Sequence, residues 1–282
     1  MKKKSVLISL VLLLALGMLL AGCGKSKDSS SSGSGNSSGG SNDNNTIIVG
    51  ADTTFPPFES EVNGKVTGFD IDMVKAIAKK EGFKVEIKTM PFEGLIPALQ
   101  AGSLDMAVAG MTIKSDRMKN VNFSNAYYKS GLSILVKKDS KIKNVKDLKG
   151  HLVATKKGTS SVDYLTSHGV NGSDIKQFKD INDAYQALEN GGADAVLFDN
   201  PVNINFKSKR DNVKIVGGLL TGEYYGIAVN KKKADLLKKV NDGLAKMKKD
   251  GEYKKLFDKY LDGDTSGIVN DVKKPEDVAV SD

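Results

Sequence analysis

Ala98-Leu99-Gln100-Ala101-Gly102-Ser103-Leu104-Asp105 shares the spacing A-L-x-x-G-x-x-D with Ala187-Leu188-Glu189-Asn190-Gly191-Gly192-Ala193-Asp194. In both stretches a helix ends at glycine and an apolar strand follows the aspartate. The first strand runs toward Ala109-Gly110-Met111-Thr112 and the second to Phe198-Asp199. Gly110 and Asp199 each lie five residues past their aspartate, so they occupy matching strand ends. The echo predicts two lobes of related topology. Open α/β sheets gather ligands at the carboxyl ends of their strands. Two facing lobes would therefore put Gly110, Thr112 and Asp199 around one cleft.

Upstream of the echo, Thr46-Ile-Ile-Val-Gly-Ala51 reads as a buried strand. Ile71, Val74, Ile77 and Ala78 mark one face of a helix that starts near Asp70 and stops at Gly82. Val85 and Ile87 alternate with charged residues between Lys84 and Thr89, predicting a second strand. Leu95, Ile96 and Leu99 predict a short helix, and Met106 to Ala109 a third strand. This alternation is the pattern of a mostly parallel sheet. Near the C-terminus, Leu236, Leu237, Val240, Leu244 and Met247 give a lysine-rich stretch one apolar face.

The 282 residues carry 42 Lys+Arg and 34 Asp+Glu, for a net charge of +8. One Cys and two His provide neither an internal disulfide nor a structural zinc site, which argues against thiol-protease and zinc-hydrolase chemistry. No metal or other cofactor is expected. The positive charge lies on solvated helical faces without interleaved aromatics, so nucleic acid is not an expected partner.

Lys2, Lys3 and Lys4 precede an apolar run from Val6 to Leu20, followed by Ala21-Gly22-Cys23. A basic start, a run too short to span a bilayer and small residues before the cut form a secretory signal over residues 1–22. Leu20-Ala-Gly-Cys23 resembles the lipobox of bacterial lipoproteins, which implies lipidation at Cys23 and an anchor on the outer side of the cell membrane. Residues 23–45 read as a flexible linker, since Ser29 to Asn45 contains only Ser, Gly, Asn and one Asp. Residues 264–282 read as a loosely ordered polar tail, leaving a folded part from Thr46 to Gly263.

Further motifs fall in order: Asp52-Thr-Thr-Phe55-Pro-Pro-Phe58, Gly68-Phe-Asp70, Phe92-Glu-Gly-Leu-Ile-Pro-Ala-Leu99, Ala109-Gly-Met-Thr112 followed by Arg117, and Asn122-Phe-Ser-Asn-Ala-Tyr-Tyr128. Together they resemble the family 3 extracytoplasmic solute-binding proteins of polar amino acid ABC transporters. Lys156-Lys-Gly158-Thr159-Ser160-Ser-Val-Asp-Tyr164 and Ala193-Asp-Ala-Val-Leu-Phe-Asp199-Asn-Pro201 extend the likeness, which is greatest to glutamine-binding proteins. The resemblance implies a periplasmic-binding-protein-like type II fold: two α/β lobes joined by a two-segment hinge. Lobe 1 would comprise residues 46–126 plus 226–263 and lobe 2 residues 132–220, with 127–131 and 221–225 as the hinge. It also implies a monomer that hands an amino acid to a membrane permease driven by an ATPase.

An amino acid brings a carboxylate, an ammonium and a side chain. Arg117, one of only two Arg, offers the planar fork that grips a carboxylate bidentately. Thr112 would add a hydroxyl and an N–H, and Ser160, opening a helix, an N–H from the other lobe. Asp199 is the expected partner of the ammonium, set against the plainer reading of a helix cap. By resemblance, Gly110 shares the ammonium through its carbonyl, while Phe55 and Phe92 sandwich the aliphatic stem. Phe58, Phe69 and Phe123 are expected in the core.

By the same resemblance, Lys156 contacts a side-chain carbonyl oxygen, and Asp52 can accept from an amide, an ammonium or a guanidinium. A neutral amide suits both, so glutamine leads; a basic amino acid is the alternative, with Lys157 the rival should Lys156 face away. Two positions depart from the glutamine-binding pattern: Phe198 replaces a His and Ser160 a Gly. An enzyme of dehydratase type on the same fold would need a further cleft carboxylate. Glu93 is the nearest, and it reads as a solvated helix residue. A sensor domain would need an output domain and a transmembrane helix in cis.

Overall fold

The computed structural model describes residues 45–262 and 264–281. The expected signal segment, Cys23 and nearly all of the linker lie outside the described residues.

Two five-stranded mixed sheets organise the chain. The first has the order Lys84–Thr89, Thr46–Ala51, Met106–Ala107, Ala228–Val229, Asn122–Phe123. Its first three strands are parallel, and Ala228–Val229 runs antiparallel to both neighbours. The second has the order Ile175–Phe178, Val153–Lys156, Ala195–Asp199, Leu132–Lys137, Val213–Val216. Again three strands are parallel, and the fourth is antiparallel to both neighbours. The fold is therefore two α/β lobes of matching sheet pattern.

The sequence echo marks the same place in each sheet. Gly102 and Gly191 both take left-handed φ, at 77° and 78°, where their helices end. Asp105 Oδ2 then accepts the Ile48 N–H at 2.7 Å, and Asp194 Oδ2 the Leu152 N–H at 2.9 Å. The two aspartate N–H groups return bonds to the carbonyls of Ile48 and Leu152. Each aspartate thus pins the start of the strand beside its own. The Met106 strand is shorter than expected, because Gly110, at φ 50°, turns the chain soon afterwards.

Helix Phe69–Glu81 buries Ile71, Val74, Ile77 and Ala78 and ends at left-handed Gly82. Helix Ala234–Lys249 packs on it through Leu236, Val240, Leu244 and Met247, with Leu237 half-buried. The approach is close at Gly243, where a Cβ would lie 2.8 Å from Ile77. Phe58, Phe69 and Phe123 are core residues. Phe58 and Phe69 join Tyr127, Tyr128, Tyr225 and Phe257 in one aromatic cluster.

Two segments cross between the sheets as an antiparallel ribbon, Tyr128–Ser130 against Glu223–Tyr225. Here the expectation of a loose C-terminal tail is corrected. Lys129 N–H donates to the Gly267 carbonyl and Ala126 N–H to that of Lys273, both at 2.8 Å. Val280 pairs with Ile113 and Ser115 at 3.0 Å each, and the short helix Pro275–Val278 lies between. Gly267 packs so tightly on the Tyr128 ring that a Cβ would fall 2.3 Å from it. Composition missed this strap because it is held by backbone bonds, which polar residues form as well as apolar ones.

Candidate functional site

Asp52 follows strand Thr46–Ala51 of the first sheet and Lys156 closes a strand of the second. Both are buried, with Lys156 Nζ 2.7 Å from Asp52 Oδ2 and 2.6 Å from Thr54 Oγ1. Asp52 Oδ2 also accepts the Phe92 N–H at 2.8 Å, and Oδ1 accepts the Thr54 N–H and hydroxyl at 2.9 and 2.6 Å. Its common acceptor directions are thus occupied, while Lys156 has used two of three donors. The pair presents a neutral wall with one N–H to spare. Lys157 is exposed, so the cleft lysine is Lys156.

Arg117 sits on the short helix Ser115–Met118. One terminal nitrogen donates to the Thr112 carbonyl at 2.9 Å and the other to the Gly158 carbonyl at 3.0 Å, spanning the two lobes. The guanidinium also lies 5.2 Å from the Phe92 ring centre. Burial pulls its pKa down, opposed by the charges of Asp116 and Glu223.

Asp199 ends its strand immediately before helix Asn200–Lys207, yet its side chain makes no capping bond there. Instead it accepts the Tyr225 hydroxyl. The cap reading therefore fails for a geometric reason: the carboxylate turns away from its own helix. Burial first, and then the Glu223 charge, push the Asp199 carboxyl up to about 7.

Gly110 has positive φ and stands against Phe55, whose ring would be 2.2 Å from an added Cβ. Phe55 meets Phe198 edge-on at 5.6 Å. The nine residues expected from sequence, Asp52, Phe55, Phe92, Gly110, Thr112, Arg117, Lys156, Ser160 and Asp199, all line one cavity. Ala109, Thr159 and Phe198 complete the lining.

Three sequence expectations need correction. The Thr112 hydroxyl does not point to a carboxylate beside Arg117: it donates to Glu223 Oε2 at 2.7 Å. The Ser160 hydroxyl donates to the same oxygen at 2.9 Å, and Thr221 to Oε1 at 3.0 Å. Glu223 is thus a further buried carboxylate behind the cavity wall, where none beyond Asp52 and Asp199 was expected. Its signal was present as the lone acid of the expected crossing segment 221–225. Glu93 is half-buried instead of solvated, and it does not line the cavity. Thr54 and Tyr225, which orient Lys156 and Asp199, were also missed. Among the described residues no cluster of His, Cys, Asp or Glu is arranged to hold a metal, and no helix is long and apolar enough to cross a membrane.

The model of the bacterial extracellular solute-binding proteins, family 3, matches residues 47–263. The chain belongs to this family. The ABC transporter glutamine-binding protein GlnH of Bacillus subtilis (strain 168) is 37% identical over 271 residues, covering 93% of this chain and 98% of that protein. The solved structure of an ancestral arginine-binding protein bound to arginine superposes with a TM-score of 0.72 at 45% identity, covering 77% of this chain and 98% of that one. The same kind of ancestral protein bound to glutamine gives 0.73 at 45%, covering 78% and 99%.

Proposed function

We propose that this protein is the substrate-binding lipoprotein of an ABC importer, capturing a polar amino acid, glutamine foremost, between its lobes. The neutral Asp52–Lys156 wall carries the choice of glutamine. Its spare Lys156 donor suits a side-chain carbonyl oxygen, whereas a guanidinium or ammonium would bring only donors to an aspartate already served by four. Like charge beside Lys156 would cost several kcal/mol when desolvated. A glutamate side chain would suit Lys156 but meet Asp52. The likeness to GlnH along nearly the whole chain supports the same reading.

The α-carboxylate would lie on the Arg117 fork with the backbone N–H of Ser160, which opens helix Ser160–Ser167 where first-turn N–H groups lack intrahelical partners. The α-ammonium would pair with Asp199, and Phe55 and Phe92 would flank the stem. Residues 127–131 and 221–225 would act as the hinge. Arg117–Gly158, Lys156–Thr54 and Lys114–Asp163, the last at 2.6 Å, join lobe to lobe and belong to a closed form. Closure driven by the ligand would then present the protein to a permease and its ATPase. Lipid attachment at Cys23 would hold it outside the cytoplasmic membrane, as a monomer.

A basic amino acid is the second reading. Three carboxylates, Asp52, Asp199 and Glu223, stand against two cations, Arg117 and Lys156, around the cleft. An ancestral relative is moreover solved with arginine. Calorimetric titration of the refolded chain with glutamine, arginine, histidine, lysine and glutamate separates the two. Glutamine tightest supports the amide reading, arginine tightest overturns it, and silence toward all five overturns amino acid capture.

A further inference from the structure

Glu59 and Asp70 form a buried acidic pair that the ligand chemistry leaves unused. Glu59 opens strand Glu59–Val62, Asp70 lies in the first turn of helix Phe69–Glu81, and neither is solvent-exposed. Asp70 Oδ2 is well served: it accepts the Gly110 N–H at 2.9 Å and the Tyr127 hydroxyl at 2.6 Å. Asp70 Oδ1 and both Glu59 oxygens are buried with no hydrogen-bond partner among the described residues. The two carboxyls are nevertheless neighbours: the Asp70 N–H donates to the carbonyl of Phe58, the residue before Glu59, at 3.1 Å, and each carboxyl acts on the proton affinity of the other.

Two carboxylates cannot bond without a proton between them, and two adjacent buried anions would repel strongly. One proton resolves both difficulties, because an O–H···O⁻ bond is among the strongest available to side chains. The proton belongs on Glu59, since Asp70 already has two donors favouring its ionised form. Asp52 lies near enough to reinforce the neutral state of Glu59, and Lys156 opposes it.

We propose that Glu59 is a positioning residue of the cleft: as a neutral acid it donates to Asp70, fixing the carboxylate that holds Gly110 and Tyr127. Gly110 lines the cavity and Tyr127 begins the first crossing segment. The acid therefore ties one wall of the site to the connection between lobes. Its effect on affinity rests on the cavity being the ligand cleft; its protonation and its hold on Gly110 do not.

The test combines three readouts on the full chain. Infrared spectroscopy should find a protonated-carboxyl C=O band at neutral pH that shifts when glutamate is ¹³C-labelled and is absent from Glu59→Gln. The Gly110 amide proton resonance should move as that band disappears on raising the pH, and stay fixed in Glu59→Gln, whose amide still donates to Asp70. Affinity for whichever amino acid binds should fall about tenfold in Glu59→Leu and return in Glu59→Gln. No labelled acid band at neutral pH, or a Gly110 resonance indifferent to its loss, overturns the proposal. If the variants fail to fold, the labelled natural chain still decides both points. Absence of binding by any amino acid would instead defeat the reading of the cleft.

Discussion

Lys156 Nζ lies 2.7 Å from Asp52 Oδ2, in a buried ion pair joining the end of a strand from one sheet to the end of a strand from the other. It forms a cross-lobe contact and the selective wall of the cavity together. Replacing Lys156 by Met leaves Asp52 buried without its counter-charge. Breaking such a pair typically costs about 3–5 kcal/mol. Glutamine affinity should fall by about a hundredfold or more, while arginine, no longer facing like charge, should lose less. Calorimetry on both ligands checks the direction.

Binding should release protons near neutral pH. In this closed form burial, and then Glu223, push the Asp199 carboxyl up to about 7. An α-ammonium would favour the ionised form, so affinity should rise with pH through about 7 and then level. For folding the sign is opposite: a raised carboxyl stabilises fully below its unfolded value, and that contribution is lost as pH rises through about 7. Titrations at pH 6 in buffers of different ionisation enthalpy (a condition set by that value of about 7) should detect proton release, and Asp199→Asn should abolish it.

Glu223 accepts three hydroxyl bonds, with no ion pair to it among the described residues. Glu223→Gln replaces one of its two acceptor oxygens by a donor. About 1–3 kcal/mol of stability should be lost. The same change should lower the Asp199 pKa, because one of the two leading causes of its elevation is gone. Carbon-13 NMR of the Asp199 carboxyl reads this shift directly.

Ending the chain after Asp262 removes the strap on the crossing strand and on Ile113–Ser115. Four backbone bonds at about 0.5–1.5 kcal/mol each predict a loss of several kcal/mol. The melting temperature should fall by about 5–15 °C for a domain of this size. Thermal unfolding of both chains measures it. An unchanged melting point would mean that the strap contributes nothing in solution.

Much of the site was legible because its chemistry uses rare or oddly placed residues. Arg117 is conspicuous among lysines, and Asp199 follows an apolar strand. The repeated aspartates, Asp105 and Asp194, exposed the matching sheets because each serves the same backbone role. Glu223 and Glu59 were harder to find, since each gains its meaning from residues distant in the chain. Glu223 needs Thr112 and Ser160, and Glu59 needs Asp70 and Tyr127. The strap escaped for a different reason: backbone pairing leaves no mark in polarity.

The central claim, that the Asp52–Lys156 wall selects an amide side chain, is tested most directly by competition. The refolded protein is dialysed against an equimolar mixture of the standard amino acids at concentrations below that of the protein, and the bound fraction is identified by mass spectrometry. Glutamine should dominate that fraction. Arginine dominating it would contradict the account of the wall, even with the Arg117 and Asp199 ends of the cleft intact.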